Sequence, residues 1–511
     1  MRRIPFRLPA ALVLVSALSL SACSAGSGGT AGQGGSGATG SGAENAVVVA
    51  LTGEPTNLDF TTTAGAAIPQ ALMANVYEGL VEIGQDGSVQ PLLAQSWEVS
   101  GDRTTYTFTL QSGVTFSNGA AFTAQDVKFS LERVQSDAWV SSLKTKMDVV
   151  DKVNVLSDTV VEVVLSRPSN AWLFDLGTPV GAMFDETGVA DLAATAIGTG
   201  PFTIEAWNRG ESLEFAARDD YWGPAPQIRT ATLRYFADAV ATTNALRSGD
   251  VDVVYNMQAP ELLPTFADDP AFQVLEGTSN GEVMLSMNNA RAPFNDVRVR
   301  QAVLHAIDNQ AVMDTAWSGY GTLVGAPVPP TDPYYEDLNG AYPYDPEKAR
   351  QLLADAGVPN LDITFTVPTR PYATAVSEIV VSQLAEVGIN ATIKAAEFPA
   401  VWLDTVFTRH DYDMSVVLAV ESRDLLTMFN NPDYYLGYDN SRIKAAAAAA
   451  DAADQAGYVS GMQDVVRTVT GDAAAEVLFL FPTIVVAKAG VTGVPANSVT
   501  EALDLGSLGW Q

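Results

Sequence analysis

Cysteine and histidine are nearly absent from this 511-residue chain, which contains one cysteine, Cys23, and two histidines, His305 and His410. A single cysteine cannot form a disulfide within the chain, so packing alone must hold the fold together. Zinc and nickel sites in proteins are built mainly from Cys and His ligands, so two distant histidines argue against such a site. We expect His305 to occupy an ordinary helical position, His410 to lie in a surface turn, and no metal or cofactor to be bound.

Basic residues are also scarce, since 28 Lys and Arg face 59 Asp and Glu, giving a formal net charge of −31. Binding to nucleic acid, or flat binding to an anionic membrane, requires clustered Lys and Arg, so neither partner is expected. The acidic balance predicts a well-solvated surface and a mild attraction for cationic ligands. The many carboxylates leave open a calcium site or a glycosidase pair, although no EF-hand spacing occurs.

Catalytic motifs are missing as well. The sequence has no Gly-x-Ser-x-Gly elbow, no P-loop and no His-Glu-x-x-His zinc motif. These motifs place a nucleophile, a phosphate or a catalytic metal, and their absence removes the corresponding enzyme classes. The sequence therefore favours a binding protein over an enzyme.

Long apolar runs are rare, and the clearest one, Leu8 to Leu20, follows three arginines near the start of the chain. Its 13 residues are too few to span a bilayer, whereas a basic start and a short apolar core are typical of an export signal. Leu20-Ser21-Ala22-Cys23 resembles the bacterial lipobox, in which the cysteine is lipidated and becomes the mature N-terminus. We predict a signal peptide over 1–22, a lipid on Cys23 and a flexible Gly- and Ser-rich linker over 23–45.

The rest of the chain alternates strand-like and helix-like patterns, which predicts an α/β fold of two or three domains. Val47 to Leu51 is a short apolar run before a turn and predicts a buried strand. Thr123 with Asp126 three residues later predicts the capped start of a helix. Val477 to Ala487 is apolar but interrupted by Pro482, so it predicts a buried strand or a strand pair.

Nine short motifs follow one another along this body. They are Glu54–Asp59, Val76–Val81, Pro91–Trp97, Phe116–Val127, Gly198–Phe202, Arg218–Trp222, Leu246–Asp252, Pro293–Ala302 and Tyr344–Ala349. Each has an ordinary role as a turn, a cap or a helix start, but the order and spacing of the set are specific. In this respect the chain resembles the extracytoplasmic solute-binding proteins of ABC importers, in the family that binds peptides, nickel complexes and related solutes.

The resemblance implies a bilobal α/β receptor of the type II periplasmic-binding-protein class with an extra domain, which closes around its ligand by hinge motion. Domain I would cover 46–80, 196–280 and 486–511, domain II would be inserted over 81–195, and domain III would cover 281–485. Domains I and II would form one lobe and domain III the other, with the ligand cleft between them. The resemblance also implies a monomer that docks on a membrane permease.

Peptide-binding members of this family usually carry an aromatic residue and an aspartate late in domain III, where the carboxylate holds the peptide ammonium. The matching stretch here lacks tryptophan and offers Glu421 or Asp424 as a clamp, with Arg423 available for a ligand carboxylate. A solvated charged loop is the alternative for this stretch, and a core or turn position is the alternative for the remaining candidates. Those candidates are Thr62, Thr63 and Gly65 after the first strand, Tyr255 and Asn256 in the hinge region, Met287 in a strand without the usual tyrosines, and Trp402 early in a domain III helix.

Together these features predict a substrate-binding lipoprotein that captures a peptide-like solute and delivers it to a permease. It would be held by lipid on the extracytoplasmic face of the bacterial cell membrane. A metal chelate, haem, an opine or a glycoside on the same fold is the main alternative, favoured by the altered clamp. A tethered surface enzyme, or a sensor or chaperone on the same scaffold, is a further alternative.

Overall fold

The computed structural model describes residues 45–63, 65–139 and 142–511 of the chain. The predicted signal peptide over 1–22, the predicted lipid on Cys23 and almost all of the predicted linker therefore lie outside the described residues. No helix within the described residues is both long enough and apolar enough to cross a bilayer.

Strands and helices alternate along the described residues, as the sequence patterns predict. The strands are β1 (Ala46–Leu51), β2 (Val81–Ile83), β3 (Val89–Pro91), β4 (Ala94–Val99), β5 (Thr105–Leu110), β6 (Val150–Ser157), β7 (Val160–Leu165), β8 (Phe202–Asn208), β9 (Ser212–Ala217), β10 (Thr230–Tyr235), β11 (Val253–Val254), β12 (Phe272–Gly277), β13 (Glu282–Met287), β14 (Leu361–Pro368), β15 (Ile389–Ala396), β16 (Met414–Ala419), β17 (Ala475–Leu480), β18 (Thr483–Lys488), β19 (Val491–Thr492) and β20 (Gly509–Trp510). The α-helices are α1 (Ala67–Leu72), α2 (Ala124–Gln135), α3 (Trp172–Asp175), α4 (Ala239–Ser248), α5 (Pro264–Ala267), α6 (Val297–Ala306), α7 (Asn309–Ala316), α8 (Pro346–Asp355), α9 (Pro371–Glu386), α10 (Ala400–Trp402), α11 (Leu425–Phe429), α12 (Lys444–Ala452) and α13 (Gln455–Gly471). Short 3₁₀ segments lie at Ser142–Met147, Pro179–Gly181, Glu186–Val189, Pro260–Leu262 and Asn440–Arg442, and a π-helical segment at Leu403–Thr408 follows α10.

Local signals in the sequence explain where several helices begin and end. The backbone N–H of Thr123 donates to Asp126 Oδ2 at 2.8 Å, which is half of the predicted capping box of α2. Helix α4 ends at Gly249, whose φ of 86° suits a residue without a Cβ. Of the two alternatives for Val477 to Ala487, the structure shows the strand pair, because β17 and β18 flank Pro482.

The first lobe is built on a seven-stranded sheet in the order β12-β18-β11-β1-β10-β9-β8. Strand β1 pairs in parallel with β10 and β11, whereas β18 runs antiparallel to β11 and β12. A separate antiparallel sheet, β4-β5-β7-β6, belongs to the same lobe and shares its hydrophobic core.

The second lobe is built on a five-stranded sheet in the order β15-β14-β16-β13-β17. Alternate residues of β13 enter different hydrophobic clusters, with Leu285 on one face of the sheet and Met284 on the other. This sheet is therefore covered on both faces, which explains why β13 is buried along its whole length.

The chain passes between the two large sheets twice, at 278–281 and at 481–482. Two short connections side by side are the geometry that allows two lobes to rotate about a hinge. The predicted boundary at 280 lies within the first crossover. The predicted boundary at 485 falls inside β18, which pairs with the first-lobe strands β11 and β12.

Candidate functional site

The loop that follows β16 meets the first lobe directly beside the crossover. Asn280 Nδ2 donates to Ser422 Oγ at 2.9 Å and to the Val499 carbonyl at 2.6 Å. Ser422 Oγ donates to the same carbonyl at 2.8 Å, and both Asn280 and Ser422 are buried. The stretch chosen from the sequence as the candidate clamp therefore lies between the lobes, at the carboxyl end of a sheet strand where ligands of α/β proteins commonly bind.

Arg423 reaches from this loop into the first lobe. Its guanidinium carbon lies 3.6 Å from the centroid of the Phe174 ring, a cation–π contact, and Nη2 is 3.5 Å from the Gly87 carbonyl. On its own lobe, Nε is 3.8 Å from Asp332 Oδ1. The guanidinium is thus positioned between the two lobes and already faces a carboxylate.

A second basic group, Lys146, approaches the same loop from the first lobe. Its Nζ lies 3.5 Å from Asp175 Oδ1, and both side chains are largely buried. Burial alone would lower the pKa of Lys146, but the nearby carboxylates of Asp175, Glu421 and Glu501 raise it above its usual value. Burial raises the pKa of Asp175 to about 6, against the opposing effect of Lys146.

Acids outnumber bases where these elements meet. Burial raises the pKa of Asp332 to about 6, and burial followed by the charge of Glu421 raises that of Asp424 well above its usual range. Burial also raises the pKa of Glu501. We call the whole set the interlobe charge cluster, namely Lys146, Asp175, Glu282, Asp332, Glu421, Arg423, Asp424 and Glu501. With six carboxyl groups and two cations, the cluster can accept a cationic group and still offer donors to an anionic one.

Of the candidates proposed from the sequence, Glu421, Arg423 and Asp424 lie together in this cluster. The loop after β1 is held by its own hydrogen bonds: Thr62 Oγ1 donates to Asp59 Oδ2 at 2.6 Å. Thr63 Oγ1 accepts from an asparagine of the same loop at 2.8 Å, and Gly65 adopts a φ of 119°. These hydroxyl groups are already engaged in shaping the loop.

The structure places three further candidates in tightly packed positions. Tyr255 is buried at the end of β11, and burial raises its pKa. Met287 is fully buried in the core of the second lobe, opposite Met414 of β16. Trp402 is also buried there, and its Nε1 donates to Ser415 Oγ at 3.0 Å.

Two residues of the sequence prediction lie at backbone positions with a left-handed conformation. Asn256, directly after β11, has a φ of 55°, and His410 has a φ of 52° in the turn before β16. His305 lies in α6, as predicted, and its Nδ1 is 2.8 Å from the Pro343 carbonyl oxygen. Within the described ranges, no group of three His, Cys, Asp or Glu side chains is arranged to hold a metal ion.

Sequence reasoning missed the cluster members Lys146, Asp175, Glu282, Asp332 and Glu501, because they come from five separate segments of the chain. One of them carries a local signal. Glu282 is the only charged residue of β13 (Glu282–Met287), whose other residues are apolar except for Ser286, and a charge in a fully buried strand is unusual.

A separate contact joins the lobes away from the crossover. The carboxylate of Asp451 in α12 accepts hydrogen bonds from Ser169 Oγ at 2.9 Å and from the backbone N–H groups of Asn170 and Ala171 at 2.9 and 3.1 Å. Arg167 Nη1 adds an ion pair with Asp451 at 2.5 Å. We call these residues the lobe latch, since Asp451 belongs to the second lobe and its four partners to the first.

Comparisons with known proteins agree with this architecture. Residues 88–441 match the model of the family described as "Bacterial extracellular solute-binding proteins, family 5 Middle". The glutathione-binding protein GsiB of Salmonella paratyphi A is 30% identical over 362 residues, covering 70% of each chain. The periplasmic binding protein AgaA of A. tumefaciens R10, in complex with agropinic acid, superposes with a TM-score of 0.79 at 25% identity, covering 91% of this chain and 99% of AgaA. DppA of Helicobacter pylori, in complex with the peptide STSA, superposes with a TM-score of 0.80 at 22% identity, covering 91% and 98%.

Proposed function

Since the chain belongs to the bacterial extracellular solute-binding proteins of family 5 and serves an ABC importer, we propose that its solute is peptide-like. The predicted family, the type II α/β fold class and a binding rather than an enzymatic role are confirmed by the same relatives. What remains a proposal is the chemistry of the solute and its contacts.

One observation carries this proposal: carboxylates and cations face each other across the two lobes beside the crossover. A peptide has an ammonium group at one end and a carboxylate at the other, and so needs both signs of charge in one site. We propose that Glu421 and Asp424 hold the ammonium, while Lys146 and Arg423 attract the carboxylate. Two relatives support a peptide, because GsiB is named for glutathione and DppA was solved with a tetrapeptide.

The ammonium contact predicts that blocking the amine abolishes tight binding. N-acetylation of a dipeptide such as Ala-Ala should weaken binding by about ten- to a hundredfold, because a charge-assisted hydrogen bond is lost. The double variant Glu421→Gln with Asp424→Asn should weaken binding of the dipeptide with a free amine by a similar factor. Isothermal titration calorimetry measures both effects.

Asp433→Asn is the matched control, because Asp433 is exposed on the same lobe and should leave affinity unchanged. Equal binding of the free and acetylated dipeptides would contradict the amine contact. Binding of agropinic acid, the ligand in the AgaA structure, without binding of any peptide would assign the site to an opine instead.

We propose that the chain is anchored through a lipid on Cys23, with the Gly- and Ser-rich stretch as a tether. Cys23→Ser should move the protein from the membrane fraction to the soluble fraction, or leave it unprocessed, because the lipid-bearing thiol is lost. Fractionation and intact-mass measurement check this result. Solute affinity should not change, and Ser24→Ala should remain membrane-bound. A correctly cleaved Cys23→Ser protein that stays in the membrane fraction would contradict the anchor.

A further inference from the structure

Glu282 carries a buried carboxyl group without a hydrogen-bond partner in the described part of the chain. It begins β13, has only 1% of its surface exposed, and lies opposite Ala419 of β16 and Leu480 of β17. No described residue donates a hydrogen bond to either of its carboxyl oxygens. A buried, unsatisfied carboxyl is costly and rare in folded proteins, so it indicates that something else satisfies this group.

The groups that face Glu282 from neighbouring elements do not satisfy it. They are the carboxyls of Asp424 and Asp332 and the phenols of Tyr434 and Tyr435. The repulsion between the three acids adds to the cost of burial instead of offsetting it. Glu282 therefore lies in a region crowded with acidic groups.

Another deeply buried acid shows what a structural carboxyl looks like in this fold. Glu476 of β17 accepts a hydrogen bond from Asn309 Nδ2 at 2.6 Å, and burial raises its pKa to about 8. Its neighbourhood includes a donor from the protein itself, and Glu282 has none. The difference points to a role for Glu282 beyond packing.

Asp424 is close to four other members of the interlobe charge cluster, namely Glu421, Lys146, Asp332 and Glu282. Glu421 belongs to the proposed place of the solute's ammonium and has Lys146 nearby. Asp332 has Arg423 nearby, but this guanidinium stacks on the Phe174 ring of the first lobe and lies 3.8 Å from Asp332.

We propose that Glu282, Asp332 and Asp424 form a subsite for a second cationic group, so that the imported solute is basic, as in a peptide with a lysine-like side chain. This inference rests on the proposed function, because it adds a charge to the solute already assigned to the site. An alkylammonium entering as the lobes close would supply the donors that Glu282 lacks. It would also neutralise the excess of carboxyls over bases in the cluster.

The subsite links solute binding to pH. Burial raises the pKa of Glu282 well above its usual value, so the ligand-free protein holds a proton there at lower pH. A cation must displace this proton. Affinity for a basic solute should therefore rise with pH until the raised pKa is passed, and binding below that point should release protons.

The test compares lysine dipeptides with uncharged isosteres. Calorimetric titration compares Lys-Ala and Ala-Lys with the dipeptides in which norleucine replaces lysine. One of the two lysine dipeptides should bind about ten- to a hundredfold more tightly than its norleucine counterpart. Glu282→Gln should reduce the preference for lysine to about twofold and leave the affinity for the norleucine dipeptide unchanged. The observed enthalpy for the lysine dipeptide should depend on the ionisation enthalpy of the buffer, because protons are released.

Glu476→Gln is the matched control, since it replaces the carboxyl of a buried acid outside the interlobe charge cluster and should keep the lysine preference. Equal binding of lysine and norleucine dipeptides, or an unaltered preference in Glu282→Gln, would overturn the subsite. So would tight binding of Ca²⁺ in place of the amine. If Glu282→Gln does not fold, two measurements on the unmodified protein test the subsite. They are the affinity ratio of lysine to norleucine dipeptides and the dependence of the binding enthalpy on the buffer.

A diamine separates this inference from the proposed function. Binding of 1,5-diaminopentane that depends on Glu282, without binding of any dipeptide, would support the cation subsite and reject a peptide solute. Binding of neutral dipeptides without any preference for lysine would reject the subsite and support the proposed function. If neither diamine nor dipeptide binds, both are rejected.

Discussion

Replacing Arg218 with leucine should lower the free energy of unfolding of the first lobe by about 3–5 kcal/mol, the range for breaking a buried charged network. The Arg218 side chain is 4% exposed. Its guanidinium donates to the carbonyls of Gly198 and Gly200 at 3.3 Å each, and to the carbonyl and hydroxyl of Thr115 at 3.0 Å. Leucine would leave the Gly200 carbonyl without this donor and the Gly198 carbonyl with only the Ser117 N–H.

Urea unfolding followed by intrinsic fluorescence measures this loss, reported as an apparent value because the protein has several domains. Arg229→Leu is the matched control. Arg229 is 47% exposed, and among the described residues its guanidinium pairs only with the exposed Asp219, so its loss should cost less than about 1 kcal/mol. Equal stability of the two variants would show that the Arg218 network contributes nothing beyond a surface ion pair.

Replacing Asp451 with alanine should weaken solute binding by about ten- to a hundredfold. The substitution would destabilise the closed state of the lobes and would remove no contact with the solute. The four groups that donate to the Asp451 carboxylate belong to the other lobe. When the lobes separate, water can satisfy those donors. The variant should therefore shift the equilibrium toward the open form with little loss of folding stability.

Small-angle X-ray scattering of the ligand-bound variant should show a larger radius of gyration than the parent protein, and calorimetry should show the lower affinity. Asp454→Ala is the control, because Asp454 caps α13 by accepting from the Gly457 N–H at 2.8 Å. The Asp454→Ala variant should lose about 1 kcal/mol in the free energy of unfolding and keep its affinity for the solute. A compact, tightly binding Asp451→Ala protein would contradict the role of the lobe latch.

The Arg218 network also explains why separate sequence motifs occur together. Arg218, Tyr221 and Trp222 come from one motif, Thr199 from another and Glu78 from a third. In the fold, the Glu78 carboxylate accepts from Thr199 Oγ1, Tyr221 Oη and Trp222 Nε1 at 2.7, 2.7 and 3.0 Å. Three of the nine motifs thus meet in one junction of the first lobe. None of the nine contributes a residue to the interlobe charge cluster.

This separation explains how much of the site could be predicted. The family motifs predict the scaffold, because each has a local role as a turn, a cap or a helix start. For residues that face the solute, the sequence offers only position within a loop as a guide. That guide placed Glu421, Arg423 and Asp424 in the interlobe charge cluster, but it also selected Met287 and Trp402, which the structure places in the core.

The sequence by itself determined the features that depend on neighbours a few residues apart. The capped start of α2 at Thr123, the end of α4 at Gly249 and the strand pair around Pro482 all follow from local hydrogen bonding and backbone preference. Composition likewise excluded an internal disulfide. These effects act within one turn of helix or one strand, so they can be read along the chain.

Only the tertiary structure decided which charges meet. The cluster combines Lys146 and Asp175 of the first lobe, Glu282 of β13, the loop after β16, and Glu501 near the end of the chain. These segments come together because the chain crosses between the two large sheets twice. The cost of burying Glu282, and the raised pKa values around it, exist only once these segments have closed on one another. Such energies depend on distance in space and on exclusion of water, and the order of residues along the chain specifies neither.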